Sequence, residues 1–433
     1  MNITAKRTVV LALSTYDRTF LEAIRNILIA SGDLDVRVLQ NELSPNADMP
    51  DNDERTRDDE EFLGFITPFY GSCMDSNSLS ITHQELQNAI SSNKRRWLLA
   101  DNEVVFARQL LRDLGYKTSV QRQQNLSLKN NFTSITDLRV IDMYDDAIRD
   151  RESLAERYGN WVHKYYRKLD ALRFVEAQFY HAQKSDRRNE LESVKADNPF
   201  NEATISPAAP KDTSKGQRIT RRPIIMVSST VYGIEEFLER IYFLLTTYGY
   251  DVWMSHAGTI PVDSNKTAFQ NCEDAVDKCD LFLSIITPWY GSGQDQQSKE
   301  VSMVECSSQQ LWCRVGKVSI THQEMRLAVK WNKPRFLLTN ENVLFAKNLL
   351  DNLGFDSSEK RQKQCKLIDS SKSISDLRVI DMYEESTHIL FRGNLLANQQ
   401  FYRFQEAESF INETLSDPEK VMLAAKRLQK GVV

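Results

Sequence analysis

Several segments of this chain occur twice, in the same order. "ITPFYGS" at Ile66–Ser72 returns as "ITPWYGS" at Ile286–Ser292, and "LLRDLGY" at Leu110–Tyr116 returns as "LLDNLGF" at Leu349–Phe355. "DLRVIDMY" at Asp137–Tyr144 is repeated unchanged at Asp376–Tyr383. A period of more than two hundred residues is too long for a solenoid and requires two homologous domains in tandem. The copies are not equally spaced throughout. The "ITP" motifs stand 220 positions apart and the "THQE" motifs 239, so the second copy carries 19 extra residues between them. Such an insertion belongs to a surface loop.

The second copy has the more regular pattern. "PIIMVSST" predicts a buried strand that ends in hydroxyls, "IEEFLERIYFLLTTYG" a helix closed by Gly249, and "YDVWMS" a second strand. "TAFQNCEDAVDKC" follows as a helix, "DLFLSIITP" as a strand, "THQEMRLAVKW" as a helix, "PRFLLT" as a strand, "NVLFAKNLLDNLG" as a helix and "LRVIDMY" as a fifth strand. Strict alternation of this kind predicts an α/β fold: a mostly parallel sheet with helices on both faces, whose ligands bind outside the carboxyl ends of the strands. In the first copy the second strand and its helix are expected to give way to the acid-rich "NADMPDNDERTRDDEE" (Asn46–Glu61), read as a solvated loop.

The expected division is a first domain over 1–150, a helical extension over 151–182 and a polar linker over 183–222. A second domain follows over 223–386 with its insertion near 294–318, and a C-terminal helical extension over 387–433.

A net charge of −5 and a pI near 5.8 argue against the nucleic-acid backbone as main partner. No apolar run approaches the roughly 18 residues that span a bilayer, and Met1–Arg7 leads into a strand-like run instead of a signal peptide, so no membrane partner and a cytoplasmic location are expected. Six scattered cysteines without CxxC pairs or zinc spacing read as reduced thiols, with no metal site. Cys272 and Cys279 read as small apolar residues on one helix face.

"THQE" (Thr82–Glu85 and Thr321–Glu324) admits two readings. As a capping box, the Thr would bond the N3 amide while the Glu reaches back to the N-cap amide. As chemistry, a carboxylate at a strand-to-helix junction can attack or stabilise the anomeric carbon as a base leaves a ribose, and the adjacent His322 would protonate that base. Around it, Ser228, Ser229 and Thr230 are candidates for holding a phosphate or ribose. Trp289 and Tyr290, or Phe69 and Tyr70, could stack a base beside Gly291 or Gly71, and Asp280 could meet a ribose hydroxyl.

Taken together, "IIMVSST", "CEDAVDKCDLFLSIITPWYGSG" and "VSITHQEMRLAVKWNKPRFLL" resemble an uncharacterised bacterial domain family related to TIR domains and nucleoside 2-deoxyribosyltransferases. The resemblance covers Pro223–Phe355 well and Thr8–Tyr116 less fully, and it implies two tandem flavodoxin-like or TIR-like domains. It implies Glu324 as catalytic nucleophile and Glu85 as the second candidate, since a Glu opening a helix, then Ala328 and Asn332-Lys333-Pro334, matches the deoxyribosyltransferase pattern with Asn in place of Gly. Trp312-Cys313 lies too far ahead of Glu324 to match the Trp-Cys element of TIR enzymes. The implied function is cleavage or transfer of the N-glycosidic bond of NAD or another nucleotide, with no required cofactor and a role in anti-phage defence. The alternative is a non-catalytic tandem scaffold or sensor, a homo-oligomer or protein-binding module, that recognises a nucleotide signal or protein partner.

Overall fold

The computed structural model describes residues 7–14, 17–31, 34–39, 60–71, 73, 78–129, 134–148, 162–181, 221–261, 268–291, 318–388 and 394–429. They form two compact units, one of residues 1–108 with 135–218, the other of 109–134 with 219–433. Each holds a five-stranded, all-parallel sheet.

In the first unit β1 (Arg7–Leu13), β2 (Leu34–Val38), β3 (Glu61–Ile66), β4 (Arg96–Asp101) and β5 (Val162–Tyr165) lie in the order β2-β1-β3-β4-β5. Alternate side chains go to opposite faces. Val9, Leu11, Leu13, Leu63, Phe65 and Leu99 pack with α1 (Arg18–Ala30) and α6 (Lys168–Glu176). Val10, Ala12, Phe62, Ile66, Leu98 and Ala100 pack with α2 (Ile81–Ser91), α3 (Asn102–Asp113) and α5 (Arg139–Ala147). The short helix α4 (Ser119–Asn125) belongs to the second unit.

The second unit repeats the order with β6 (Ile224–Ser229), β7 (Asp251–Met254), β8 (Leu281–Ile286), β9 (Arg335–Asn340) and β10 (Leu395–Phe401): β7-β6-β8-β9-β10. On one face Ile225, Val227, Leu283, Ile285 and Leu338 meet α7 (Glu235–Tyr248), α13 (Phe404–Leu415) and α14 (Pro418–Gln429). On the other, Met226, Phe282, Ile286 and Leu337 meet α8 (Ala268–Lys278), α9 (Ile320–Lys330), α10 (Glu341–Asn352) and α12 (Arg378–Thr387). Helix α11 (Ser358–Gln364) follows α10. The order reverses between β6 and β8, and this switch point opens a crevice at their carboxyl ends.

Three expectations are corrected. "LRVIDMY" is helix, α5 and α12, in both copies. Val379, Ile380, Met382 and Tyr383 are its buried apolar positions, a helical spacing that a β-branched pair disguises in the sequence. The fifth strands are β5 and β10, which fall in the stretches expected to be helical extensions. Each pairs on one side only, and β10 is half polar, "LLANQQF", as an edge strand can be. The first copy also keeps its second strand, β2, ahead of the acid-rich run. Of that run only Glu60 and Glu61 are described, Glu60 pairing with Arg37 and Glu61 with Arg7. Residues 46–59, the insertion at 294–317 and the linker at 183–220 lie outside the described residues, as does Trp312-Cys313.

Candidate functional site

The helix that carries Glu324 is capped by Ser319, not by Thr321. Ser319 has extended backbone, and its Oγ accepts from His322 N at 3.3 Å. Ser80 does the same for His83 N, at 3.3 Å, in the first copy. The capping-box expectation for "THQE" is therefore corrected. Glu324 is the fifth residue of α9, beyond the first turn, where it cannot reach back to the N-cap amide.

Glu324 instead faces the end of β6. Ser228 Oγ donates to its Oε2 at 2.5 Å, and the Cys272 thiol of α8 donates a second hydrogen bond. The residue is 5 % exposed. Burial pushes its pKa above the usual carboxylate range, and the two hydrogen bonds pull part of the way back. Burial, with the nearby Glu324, pushes the Cys272 thiol well above its ordinary value, which keeps it protonated and a donor.

The carboxylate forms part of the wall of a cleft of about 680 Å³, of the size that holds a nucleotide-sized ligand. Ser228 and Ser229 line it from the end of β6 and Thr230 from just beyond, Trp289 and Gly291 from the loop after β8, and Thr321 from α9 beside Glu324. Ser370, Ser371, Lys372 and Ser375 line it from the loop before α12. Ser229 Oγ is 3.1 Å from Ile285 O and 3.2 Å from Thr230 O, backbone acceptors that take its proton. Trp289 meets Tyr232 edge-on, with ring centroids 5.1 Å apart. Gly291 has φ +86°, a conformation that favours glycine, and a Cβ there would stand 3.2 Å from Thr230 Oγ1, a contact that Thr230 would have to shift to relieve.

Three expected residues are placed elsewhere. Tyr290 is buried, with its hydroxyl 2.6 Å from His322 Nδ1 and its ring under the Arg378 guanidinium at 4.6 Å. His322 is 1 % exposed and does not line the cleft. Its Nε2 is 2.7 Å from Glu385, which Arg326 also holds through two hydrogen bonds of 2.8 and 2.7 Å. Burial lowers the His322 pKa more than Glu385 raises it, so the ring is neutral. Burial alone would raise Glu385, but His322 and Arg326 outweigh it and hold the carboxylate ionised. Asp280 sits at the opposite end of the sheet, accepting from Ile224 N and Arg221, each at 2.8 Å.

The first copy repeats the buried chain: Tyr70 OH to His83 Nδ1 at 2.8 Å, His83 Nε2 to Asp146 at 3.0 Å, with Arg139 over Tyr70 at 4.7 Å. The Tyr of "TP.YG", the His of "THQE" and the Arg of "DLRVIDMY" are thus one structural brace, which accounts for their presence in both copies. Gly71, like Gly291, has positive φ, and Phe69 N bonds Thr67 Oγ1 at 3.2 Å as Trp289 N bonds Thr287 Oγ1 at 3.3 Å. Glu85 is buried too, but its surroundings differ. Leu13 pairs with Phe65 as Ser229 pairs with Ile285, which puts Ala12 where the second copy has Ser228. Ala12 has no hydroxyl to donate. Asn88 is among the partners of Glu85, with its Nδ2 donating to Oε1 at 3.5 Å.

Cys272, Tyr232, His256 and Lys372, with Ser370, Ser371 and Ser375, are among the residues of the site that sequence reasoning missed. Nothing local marks them, since their approach to Glu324 or to the cleft depends on how α8 and the loops cross the sheet edge. Asn332, the residue in place of Gly, has φ +52°, and Asn93 φ +47°, the left-handed turn after each helix that Asn tolerates best after Gly. Lys333 ties this turn to the carbonyls of Asp277 and Cys279, a structural role. Among the described residues no group of three or more His, Cys, Asp or Glu gathers as a metal site, and no helix is long and apolar enough to cross a membrane.

No curated protein matches the chain. Among solved structures, the CMP N-glycosidase BcmB of Clostridium botulinum is matched over 44 % of this chain and 98 % of its own, at 10 % identity and a TM-score of 0.22, a score too low to carry an argument. Residues 224–388, which hold β6 to α12 and every lining residue of the cleft, match the model of a family described as "Domain of unknown function (DUF4062)".

Proposed function

We propose that the second domain binds a nucleotide in this cleft and breaks its N-glycosidic bond, with Glu324 as the group that attacks or stabilises the anomeric carbon. The observation that carries this reading is the placement of Glu324: an inward-facing carboxylate on the wall of an open cleft, held by Ser228 and Cys272 and not spent on capping its helix. A scaffold has no need to hold a desolvated carboxylate at a cavity surface, because its burial opposes folding.

In the reaction the C1′–N bond breaks and its electron pair leaves with the base. The positive charge that develops on C1′ faces the Glu324 carboxylate, which is ionised when a cationic ligand enters and lowers its pKa. Water oxygen then bonds to C1′ and its proton passes to solvent. His322 does not reach the cleft, and the imidazole that lines it is that of His256; a base that departs without needing a proton makes no demand on either. Nicotinamide, cationic while attached to ribose, is such a base, and NAD is the favoured substrate. Trp289 and Tyr232 offer aromatic surface for the planar group.

The test incubates purified protein with NAD and a panel of nucleosides and deoxynucleotides and follows released base by chromatography, alongside Glu324→Gln and Glu85→Gln. Base release lost in Glu324→Gln and kept in Glu85→Gln is the expected result. No release from any substrate would remove the reading in favour of a sensor that binds without turnover.

A further inference from the structure

Asp113 closes α3 and belongs to the compact unit that contains the cleft. It is 1 % exposed. Its Oδ2 accepts from Lys372 N at 3.0 Å, Ser373 N at 2.9 Å and Ser373 Oγ at 2.7 Å, and lies 2.9 Å from Ser371 Oγ, whose proton also has the Ile374 carbonyl as an acceptor at 2.6 Å. Gln109 Nε2 donates to Oδ1 at 2.8 Å, and the Asp113 carbonyl accepts from Ile368 N at 2.8 Å. The segment so held supplies Ser370, Ser371, Lys372 and Ser375 to the cleft. Among the described lining residues, Lys372 carries the one permanent positive charge and Glu324 is the one carboxylate.

The corresponding residue of the second copy is Asn352, from "LLDNLG" against "LLRDLG". It makes the same kind of fastening: its carbonyl and Oδ1 each accept from Lys129 N at 2.9 Å, and its Nδ2 donates to Ser134 Oγ at 3.1 Å. Only the fastening beneath the cleft is anionic. An ionised acceptor makes hydrogen bonds roughly twice as strong as a neutral one. Burial would raise the Asp113 pKa, but the donors on Ser373, Ser371 and Gln109 outweigh it and keep the carboxyl below its ordinary value.

We propose that Asp113 is a positioning residue of the cleft: its carboxylate fixes the Ser370–Ser375 wall and thereby places Lys372 to meet the anionic part of a nucleotide. This rests on the nucleotide reading of the cleft and deepens it, because it assigns phosphate-bearing ligands over free nucleosides. Asp113 itself does not line the cleft, so its effect falls on affinity and not on bond breaking.

The experiment uses the full chain with Asp113→Ala and the milder Asp113→Asn. Calorimetry measures the affinity for NAD, AMP and adenosine, and hydrogen exchange is followed in peptides spanning 366–376. In Asp113→Ala, exchange of this segment is expected to rise at least about tenfold, because two amides lose a charged acceptor. The affinities for NAD and AMP are expected to fall at least about tenfold and that for adenosine to change less than about threefold, with kcat for NAD held within about threefold. Should Asp113→Ala fail to fold, Asp113→Asn and Ser373→Ala carry the same readouts. Unchanged exchange, or faster exchange with unchanged NAD affinity, overturns the proposal. Wild-type protein that binds NAD but releases no nicotinamide sinks the glycosidase reading alone, because affinity and exchange are read without turnover. Wild-type protein that binds none of the three probes overturns both.

Discussion

Ser228 Oγ donates to Glu324 Oε2 at 2.5 Å, joining the penultimate residue of strand β6 to the middle of helix α9 across 96 positions of sequence. The hydroxyl stabilises the ionised carboxylate against the burial that opposes it. Ser228→Ala removes this bond and raises the Glu324 pKa further. Base release is expected to fall about 10- to 100-fold, from a charge-assisted hydrogen bond worth about 1.5–3 kcal/mol. The acid limb of the pH–rate profile is expected to move to higher pH, and a profile shifted downward or unmoved would show that Ser228 does not act through Glu324.

Glu324→Gln is expected to abolish base release and at the same time to stabilise the protein. The folded-state pKa of Glu324 lies above the 4.5 of an unperturbed carboxyl, so the folded state holds its proton more tightly than the unfolded one. That contribution is fully present below pH 4.5 and is lost as pH rises through the folded-state value. Thermal melts at pH 8 are therefore expected to show a higher Tm for the variant, by about 2–4 °C for each kcal/mol relieved. The difference closes toward pH 4.5, and a lower Tm at pH 8 would mark the carboxylate as a structural group.

His322 gives the opposite pH dependence. Its folded-state pKa is below the unperturbed 6.5, so the unfolded state takes up the proton first as pH falls. The stability tied to the neutral, buried ring is present above pH 6.5 and is lost as pH drops below it. The Tm is expected to decline from pH 7 to pH 5, and His322→Gln to start lower but decline less. Equal slopes for wild type and variant would assign the decline to other groups.

Gly291→Ala is expected to damage the cleft through two separable effects. Positive φ costs a non-glycine residue about 1–2 kcal/mol, and the new Cβ presses on Thr230 Oγ1 at 3.2 Å. Adding Thr230→Ala relieves the second effect and leaves the first. Melting curves of the single and double variants check this: a partial recovery of Tm in the double variant is expected, while complete recovery would show that the backbone tolerates alanine there.

Much of the architecture was legible in the chain because it depends on local pattern. The continuous apolar runs of β6, β8 and β9 sit where both faces of a parallel sheet are covered, and the stripes of α7, α9 and α10 have helical spacing. "DLRVIDMY" misled because Val379 and Ile380 favour strands locally, whereas the spacing that buries Met382 and Tyr383 is helical. The edge strands β5 and β10 escaped notice because a strand paired on one side needs no apolar run.

For the site, the sequence by itself determined that the domain is duplicated, that Ser228, Ser229, Thr230, Trp289 and Glu324 follow strand ends or helix starts, and hence that they could converge. Only the tertiary structure decided which side chains turn toward the cleft. Within "THQE" the helix phase sends His322 into a buried brace with Tyr290 and Glu385, and sends Glu324 to the crevice, where Ser228 and Cys272 meet it. Within "PWYG" the loop after β8 points Trp289 to the cleft and Tyr290 away from it. In the first copy the strand that corresponds to β6 has Ala12 where the second has Ser228. Spacing along a chain limits which residues can meet, but the direction of each side chain and the partner that satisfies it are set by packing between elements far apart in sequence.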